Sequence, residues 1–142
     1  MTNYLIGSYQ HNIDAKGRLT VPVRLREQLG DGFYVTRGLG GCLFVYPEKE
    51  WEAFLDDICS KPLSQAAGLQ RYFLANCCQA EPDSMGRILI PKALRDFAGI
   101  VKEITFIGVG KRAEIWASEK LQAFDDAQTE EDIVEAMSTS LL

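Results

Sequence analysis

A thirteen-residue segment occurs twice in this chain, and the repetition constrains the fold more than any other feature. Residues 14–26 (Asp-Ala-Lys-Gly-Arg-Leu-Thr-Val-Pro-Val-Arg-Leu-Arg) align without a gap to residues 83–95 (Asp-Ser-Met-Gly-Arg-Ile-Leu-Ile-Pro-Lys-Ala-Leu-Arg), 69 positions later. Six positions are identical and two more exchange one aliphatic side chain for another. Leu29-Gly30 continues the match onto Ala98-Gly99; after a one-residue slip, Tyr46 meets Trp116 and Ala53-Phe54 meets Ala123-Phe124. Self-similarity at about half the chain length marks two copies of one supersecondary unit.

Each copy reads as strand, turn, strand, short helix, strand, strand. Asp14-Ala-Lys-Gly17 and Asp83-Ser-Met-Gly86 are turns, because Asp bonds the backbone two residues on and Gly tolerates positive φ. Leu19 and Val21, like Ile88 and Ile90, alternate at period 2 as a half-buried strand does. Pro22 and Pro91 stop that strand and suit the first position of a helix. Gly30 and Gly99 follow about two turns on, where a C-terminal cap belongs; Leu25 with Leu29, and Leu94 with Phe97, form the buried faces. Phe33–Arg37 and Cys42–Tyr46 read as strands joined across Gly38–Gly41, with Ile104–Gly108 and Glu114–Trp116 as counterparts.

Helices fill the rest. Trp51, Phe54, Leu55 and Ile58 after Pro47 fall on one helical face, as do Ala66, Leu69, Tyr72 and Phe73 after Pro62. Ser118 is placed to cap a helix carrying Leu121 and Phe124. Thr129-Glu-Glu-Asp132 has the spacing of a capping box before Ile133, Val134 and Met137. The expected division is module 1 at 1–50, a helical connector at 51–76, module 2 at 77–120 and acidic C-terminal helices at 121–142. A module of about 50 residues buries too little apolar surface to be comfortably stable alone. The expected fold is therefore α+β and mainly β, with the two modules pairing into one pseudo-symmetric core. Helix stripes and large aromatics left over favour a homo-oligomer, of which a closed ring is one form.

Charge is distributed unevenly, and the unevenness points at the repeats. The formal net charge is −5, but seven acids against one base lie from Glu119 to the C-terminus. The two repeated segments instead carry +3 and +2. Sheet cores require neither Asp-x-x-Gly-Arg nor the closing Arg26 and Arg95. An Arg fixed just after a tight turn projects in one direction, and two across a pseudo-dyad suit phosphates and the O6/N7 edge of guanine. Candidate DNA contacts are Lys16, Arg18, Arg24, Arg26, Arg87, Lys92 and Arg95. Asp14, Gly17, Asp83 and Gly86 would build the turns, each Asp steadying its Arg from behind. Read from the residues alone, the same motif is equally a surface turn whose Asp and Arg pair only with each other.

The doubled Asp-x-x-Gly-Arg-x-x-x-Pro-x-x-Leu-Arg pattern resembles the MraZ family of bacterial proteins, each half being similar to a SpoVT/AbrB swapped-hairpin domain. Gly7-Ser8-Tyr9, Leu43-Phe-Val-Tyr-Pro-Glu48 with Trp51, and Gln70-Arg-Tyr-Phe73 resemble that family too. The resemblance implies two swapped-hairpin modules closing into a barrel-like core, and a nucleoid-associated transcriptional regulator. Such proteins bind direct repeats in the promoter of the division and cell-wall gene cluster holding their own gene, usually repressing it. The resemblance also implies a ring-shaped homo-oligomer, an octamer or larger, on double-stranded promoter DNA. The family's motif Arg maps onto Arg18 and Arg87, and its Asp onto Asp14 and Asp83. Lys16 has Met85 as its counterpart, Arg24 has Ala93 and Lys92 has Val23, so copy one is expected to carry more of the binding.

Other classes find less support. No apolar run reaches the 18–20 residues of a membrane span. Met1-Thr-Asn-Tyr4 lacks the basic and apolar regions of a signal peptide, which suggests a cytoplasmic protein. One His, at position 11, and four Cys without CxxC spacing supply no metal set, and no cofactor or small-molecule substrate is expected. Neither a Ser-His-Asp set nor an HExxH motif exists, and Gly38–Gly41 is not followed by Lys-Ser/Thr, so no enzyme is expected. The competing reading is a non-catalytic oligomeric scaffold that binds proteins, its DNA binding weak or lost.

Overall fold

The computed structural model describes residues 4–138. The first copy contributes β1 (Leu5–Asn12), β2 (Arg18–Thr20), α1 (Val23–Leu29), β3 (Phe33–Arg37) and β4 (Leu43–Pro47). Then come α2 (Glu48–Cys59), α3 (Leu63–Leu69) and a π-helical turn over Gln70–Leu74. The second copy follows as β5 (Cys78–Ala80), β6 (Arg87–Leu89), α4 (Lys92–Ala98), β7 (Glu103–Gly110) and β8 (Ala113–Ala117), trailed by α5 (Ser118–Ala127) and α6 (Glu130–Ser138). The protein is α+β, with mostly antiparallel β-structure and, among the described residues, six α-helices.

Six strands form one sheet in the order β1-β7-β8-β4-β3-β5, and β2 and β6 form a separate two-stranded ladder. The order is a palindrome in the two copies. Each copy's first strand pairs with the other copy's third, β1 with β7 and β5 with β3. The halves have exchanged strands. Equivalent residues meet on the pseudo-two-fold axis, Phe44 opposite Glu114 in the sheet and Leu19 opposite Ile88 in the ladder.

Side chains alternate across the sheet and build a hydrophobic cluster on each face. Phe33, Val35, Leu43, Val45, Ile104, Phe106 and Ile115 point to the face that receives Leu19, Val21, Ile88 and Ile90 of the ladder, together with Leu25, Leu29 and Leu94 from α1 and α4. Both copies share this core. Phe44, Tyr46 and Trp116 point the other way, where Trp51, Ile58 and Phe73 cover them. The expected single core is thus accompanied by a second, aromatic one. A sheet this wide has two apolar faces to bury, and the ladder covers only one.

Glu114, on the aromatic face, accepts hydrogen bonds from Trp116 Nε1 at 2.9 Å and from the Arg112 guanidinium at 2.9 Å. Arg112 in turn lies over the Phe44 ring at 4.1 Å, so the carboxylate is paired on the axis where the two halves join.

Several local expectations shift by a residue or change partner. Pro22 and Pro91 occupy the N-cap position rather than the first helical one. Strand β4 begins at Leu43, one residue after the expected start. Ser118 does not cap α5, whose N-cap is Ala117; its hydroxyl lies 2.8 Å from Thr105 Oγ1 instead. The capping box before α6 is present: the Asp132 N–H donates to Thr129 Oγ1 at 3.1 Å, and the Thr129 N–H donates to Asp132 Oδ2 at 3.0 Å.

Candidate nucleic-acid interface

The repeated motif builds the same turn twice. Asp14 Oδ1 accepts hydrogen bonds from the backbone N–H groups of Lys16 at 2.9 Å and Arg18 at 2.8 Å. Asp83 Oδ1 accepts from Met85 at 2.8 Å and Arg87 at 2.9 Å. In each turn the second carboxylate oxygen holds the Arg Nε, at 2.8 Å for Arg18 and 3.0 Å for Arg87. The backbone N–H of the motif Arg, with the other turn donors and the guanidinium, holds each Asp carboxyl below its ordinary value. Both therefore remain ionised at neutral pH and fix their Arg through one edge, leaving Nη1 and Nη2 unbonded among the described residues.

The ladder joins the two turns into one surface. Arg18 pairs with Leu89, Leu19 with Ile88 and Thr20 with Arg87. Leu19 and Ile88 are buried, so Arg18, Thr20, Arg87 and Leu89 all point outward. The Val21 N–H donates to Gly86 O and the Ile90 N–H to Gly17 O, each at 2.9 Å, so each strand is tied to the other copy's turn. The Arg18 and Arg87 side chains remain 36% and 29% exposed. They are neither tucked inward nor far from open surface: exposed Lys16 lies in the same turn as Arg18, and exposed Arg24 on the adjoining α1.

Not all seven expected basic residues present themselves alike. Lys92 is exposed on α4 but bonds Asp96 Oδ2 at 2.7 Å. Arg26 and Arg95 are half-buried and reach across the pseudo-dyad to the opposite turn. A Cβ at Gly17 would come 2.9 Å from the Arg95 guanidinium carbon, and one at Gly86 would overlap Arg26 Nη1. Arg95 Nε also donates to Ile90 O at 3.0 Å. This bracing exists only once the copies are paired, so no local signal announces it. Thr20 and Leu89 share this outward face, and the period-2 step from Arg18 and Arg87 leads directly to them.

Gly17 and Gly86 are required twice over, by positive φ (85° and 77°) and by the guanidinium above them. Gly86→Ala is therefore expected to destabilise the fold by about 1–2 kcal/mol through left-handed backbone strain. Arg26 must also move. The check is the denaturant midpoint at unchanged m-value; an unaltered midpoint would contradict the arrangement.

The acidic C-terminal segment lies elsewhere. Leu121 of α5 joins the aromatic cluster, and the Phe124 ring lies against Trp116 at 5.2 Å, tilted by 58°, both on the sheet face opposite the ladder. The four cysteines are free thiols. Burial pushes Cys42 up to about 12 and raises Cys77 and Cys78, which keeps these sulfurs protonated and unreactive near neutral pH. Among the described residues no helix is long and apolar enough to cross a membrane.

Comparison with known proteins matches the chain twice, over residues 4–71 and 73–142, to the family model of the MraZ protein, described as antitoxin-like. A protein of Lachnoclostridium phytofermentans named transcriptional regulator MraZ is 49% identical over 119 residues, covering 83% of this chain and 84% of its own. Relatives with the same name from Ligilactobacillus salivarius and Carboxydothermus hydrogenoformans are 45% and 43% identical. They cover 93% and 96% of this chain and 95% and 99% of their own.

Proposed function

The chain belongs to the MraZ family, and from that premise and the geometry of the ladder we propose that it is a DNA-binding transcriptional regulator. The observation that carries the reading is the outward pair Arg18 and Arg87. Each is held through Nε by its own Asp, on a two-stranded ribbon whose outer face is open. A two-stranded ribbon fits the major groove, and a guanidinium with its terminal nitrogens unbonded suits phosphate or guanine. Lys16 and Arg24 add sequence-independent attraction, while Arg26 and Arg95 contribute from half-buried positions and Lys92 from the flank. The acidic helix α5 sits behind the sheet, where it discourages unspecific coating without opposing the ladder.

The proposal extends to assembly and target. One ladder offers few phosphate contacts and binds weakly on its own. A ring of subunits, an octamer or larger, would set several ladders against direct repeats in the promoter of the protein's own division and cell-wall gene cluster. Avidity then rises by roughly 10²–10⁴ if the spacing fits, and occupancy of the promoter represses it. The two modules close as a barrel-like unit within each subunit, and the protein acts in the cytoplasm on the nucleoid.

The test is a salt-titrated gel shift with the duplex immediately upstream of the protein's own gene. Log affinity is expected to fall with log salt at a slope of roughly −2.7 to −4.5 for three to five phosphate contacts per subunit. Fragments with several repeats should bind at least about 10²-fold more tightly than fragments with one. Retardation no stronger than that of unrelated DNA would overturn the proposal and favour the scaffold.

A further inference from the structure

We infer that the ladder has a built-in direction along DNA, with Leu89 placed to meet a thymine methyl group in one half of the bound site and Thr20 presenting a hydroxyl to the other. The inference rests on the DNA-binding reading and adds to it two specificity-determining residues. Positions 20 and 89 are equivalent in the repeat, as are 16 and 85. On the first copy the outward stripe is Lys16, Arg18, Thr20; on the second it is Met85, Arg87, Leu89.

Because the strands are antiparallel, Arg18 sits beside Leu89 and Arg87 beside Thr20. One end of the ladder therefore joins a cationic turn to an Arg-Leu pair. The other joins an apolar turn to an Arg-Thr pair. A strictly two-fold ladder would prefer a palindrome, as symmetric readers do. This one has the backbone of a dyad and the side chains of an arrow.

The apolar members are the informative ones. Leu89 is 60% exposed and Met85 67% exposed, two large hydrophobic groups on one of the two basic repeats. On the major-groove edge of the bases only thymine offers an apolar group, its C5 methyl. The ladder face thus carries charge for the backbone, guanidinium groups for phosphate or guanine, and one leucine beside Arg18 for a methyl. A site read this way has a single orientation. That suits repeats set head to tail rather than inverted.

The experiment uses the intact full-length protein. Sites are selected from a random-sequence duplex pool, and thymines in the selected site are then replaced one at a time by deoxyuridine, which removes only the methyl. In wild type, one replacement confined to one half is expected to weaken binding roughly three- to tenfold. Leu89→Thr, which presents a smaller apolar group, should be markedly less sensitive to that replacement, and Thr20→Leu combined with Leu89→Thr should move the greater sensitivity to the other half. Unchanged size-exclusion elution of the variants shows that the assembly is intact. A palindromic wild-type site overturns the inference, as does an equal deoxyuridine penalty in Leu89→Thr. A Leu89→Thr variant that changes assembly mass while keeping the penalty overturns it too, assigning Leu89 to a subunit contact. Wild type that selects no sequence at all instead brings down the DNA-binding reading itself.

Discussion

Arg18→Ala is expected to abolish retardation of promoter DNA, weakening binding by more than about 10²-fold, while the protein elutes unchanged on size exclusion. The magnitude follows from repetition: a bidentate contact is worth about 1–3 kcal/mol, and the proposed ring would lose it in every engaged subunit. The loss is compounded at the turn. Asp14 keeps its bonds from the Lys16 and Arg18 backbone N–H groups, so its charge stays in place, no longer paired and facing phosphate. Asp14→Asn in the Arg18→Ala background should therefore recover part of the affinity. Arg87→Ala is expected to cost less, because its stripe carries Met85 where the first carries Lys16. Equal or reversed losses would defeat the assignment of the leading role to the first copy, and unchanged affinity in Arg18→Ala would defeat the regulator reading.

Phe106→Ala is expected to lower stability by about 3–5 kcal/mol, a large part of the 5–15 kcal/mol that holds a domain together. Phe106 is fully buried on β7, opposite Tyr9 on β1 and Ile115 on β8. It lies in the core that both copies share. The gap is bounded by β8 of the same copy and by β1 of the other, so full collapse would have to move strands of both halves, and part of the cavity persists. The measurable result is a thermal midpoint lower by about 10 °C, with DNA affinity unchanged below the transition. A shift of only one or two degrees would mean that the core repacks, contrary to the interlocked strands.

The elements were legible because the motif that encodes them is local. Asp14 and Gly17 specify a turn wherever they stand, Leu19 and Val21 alternate, Pro22 and Gly30 bound a helix, and the second copy repeats each signal. Pairing was not legible. β1 and β7 each read as strands, yet nothing in Leu5–Asn12 says that its neighbour lies in the other copy, since period 2 specifies a face and not a partner. The helical stripe through Tyr72 and Phe73 gave no warning of the π-turn. That turn lets the Tyr72 hydroxyl donate to Gly38 O at 2.6 Å and leaves Phe73 O to accept from Thr36 at 2.6 Å. Ser118 looked like a cap, but an adjacent hydroxyl on Thr105 competes for it. At the candidate interface, Arg18 and Arg87 stood out from sequence. The cross-bracing by Arg26 and Arg95 needed the pseudo-dyad, which exists only in three dimensions.

Strand exchange also sets the order of events during synthesis. β1 begins at residue 5, but the strand it must pair with begins at residue 103. The leading end of a nascent chain leaves the ribosome as an edge with no mate, and waits for most of the message to be translated. Contacts this distant in sequence place the chain among slow folders, on the millisecond-to-second scale. A truncated product holds half a sheet and one strand of the ribbon. A product that ends before residue 83 therefore carries only one of the two outward arginines of the ribbon.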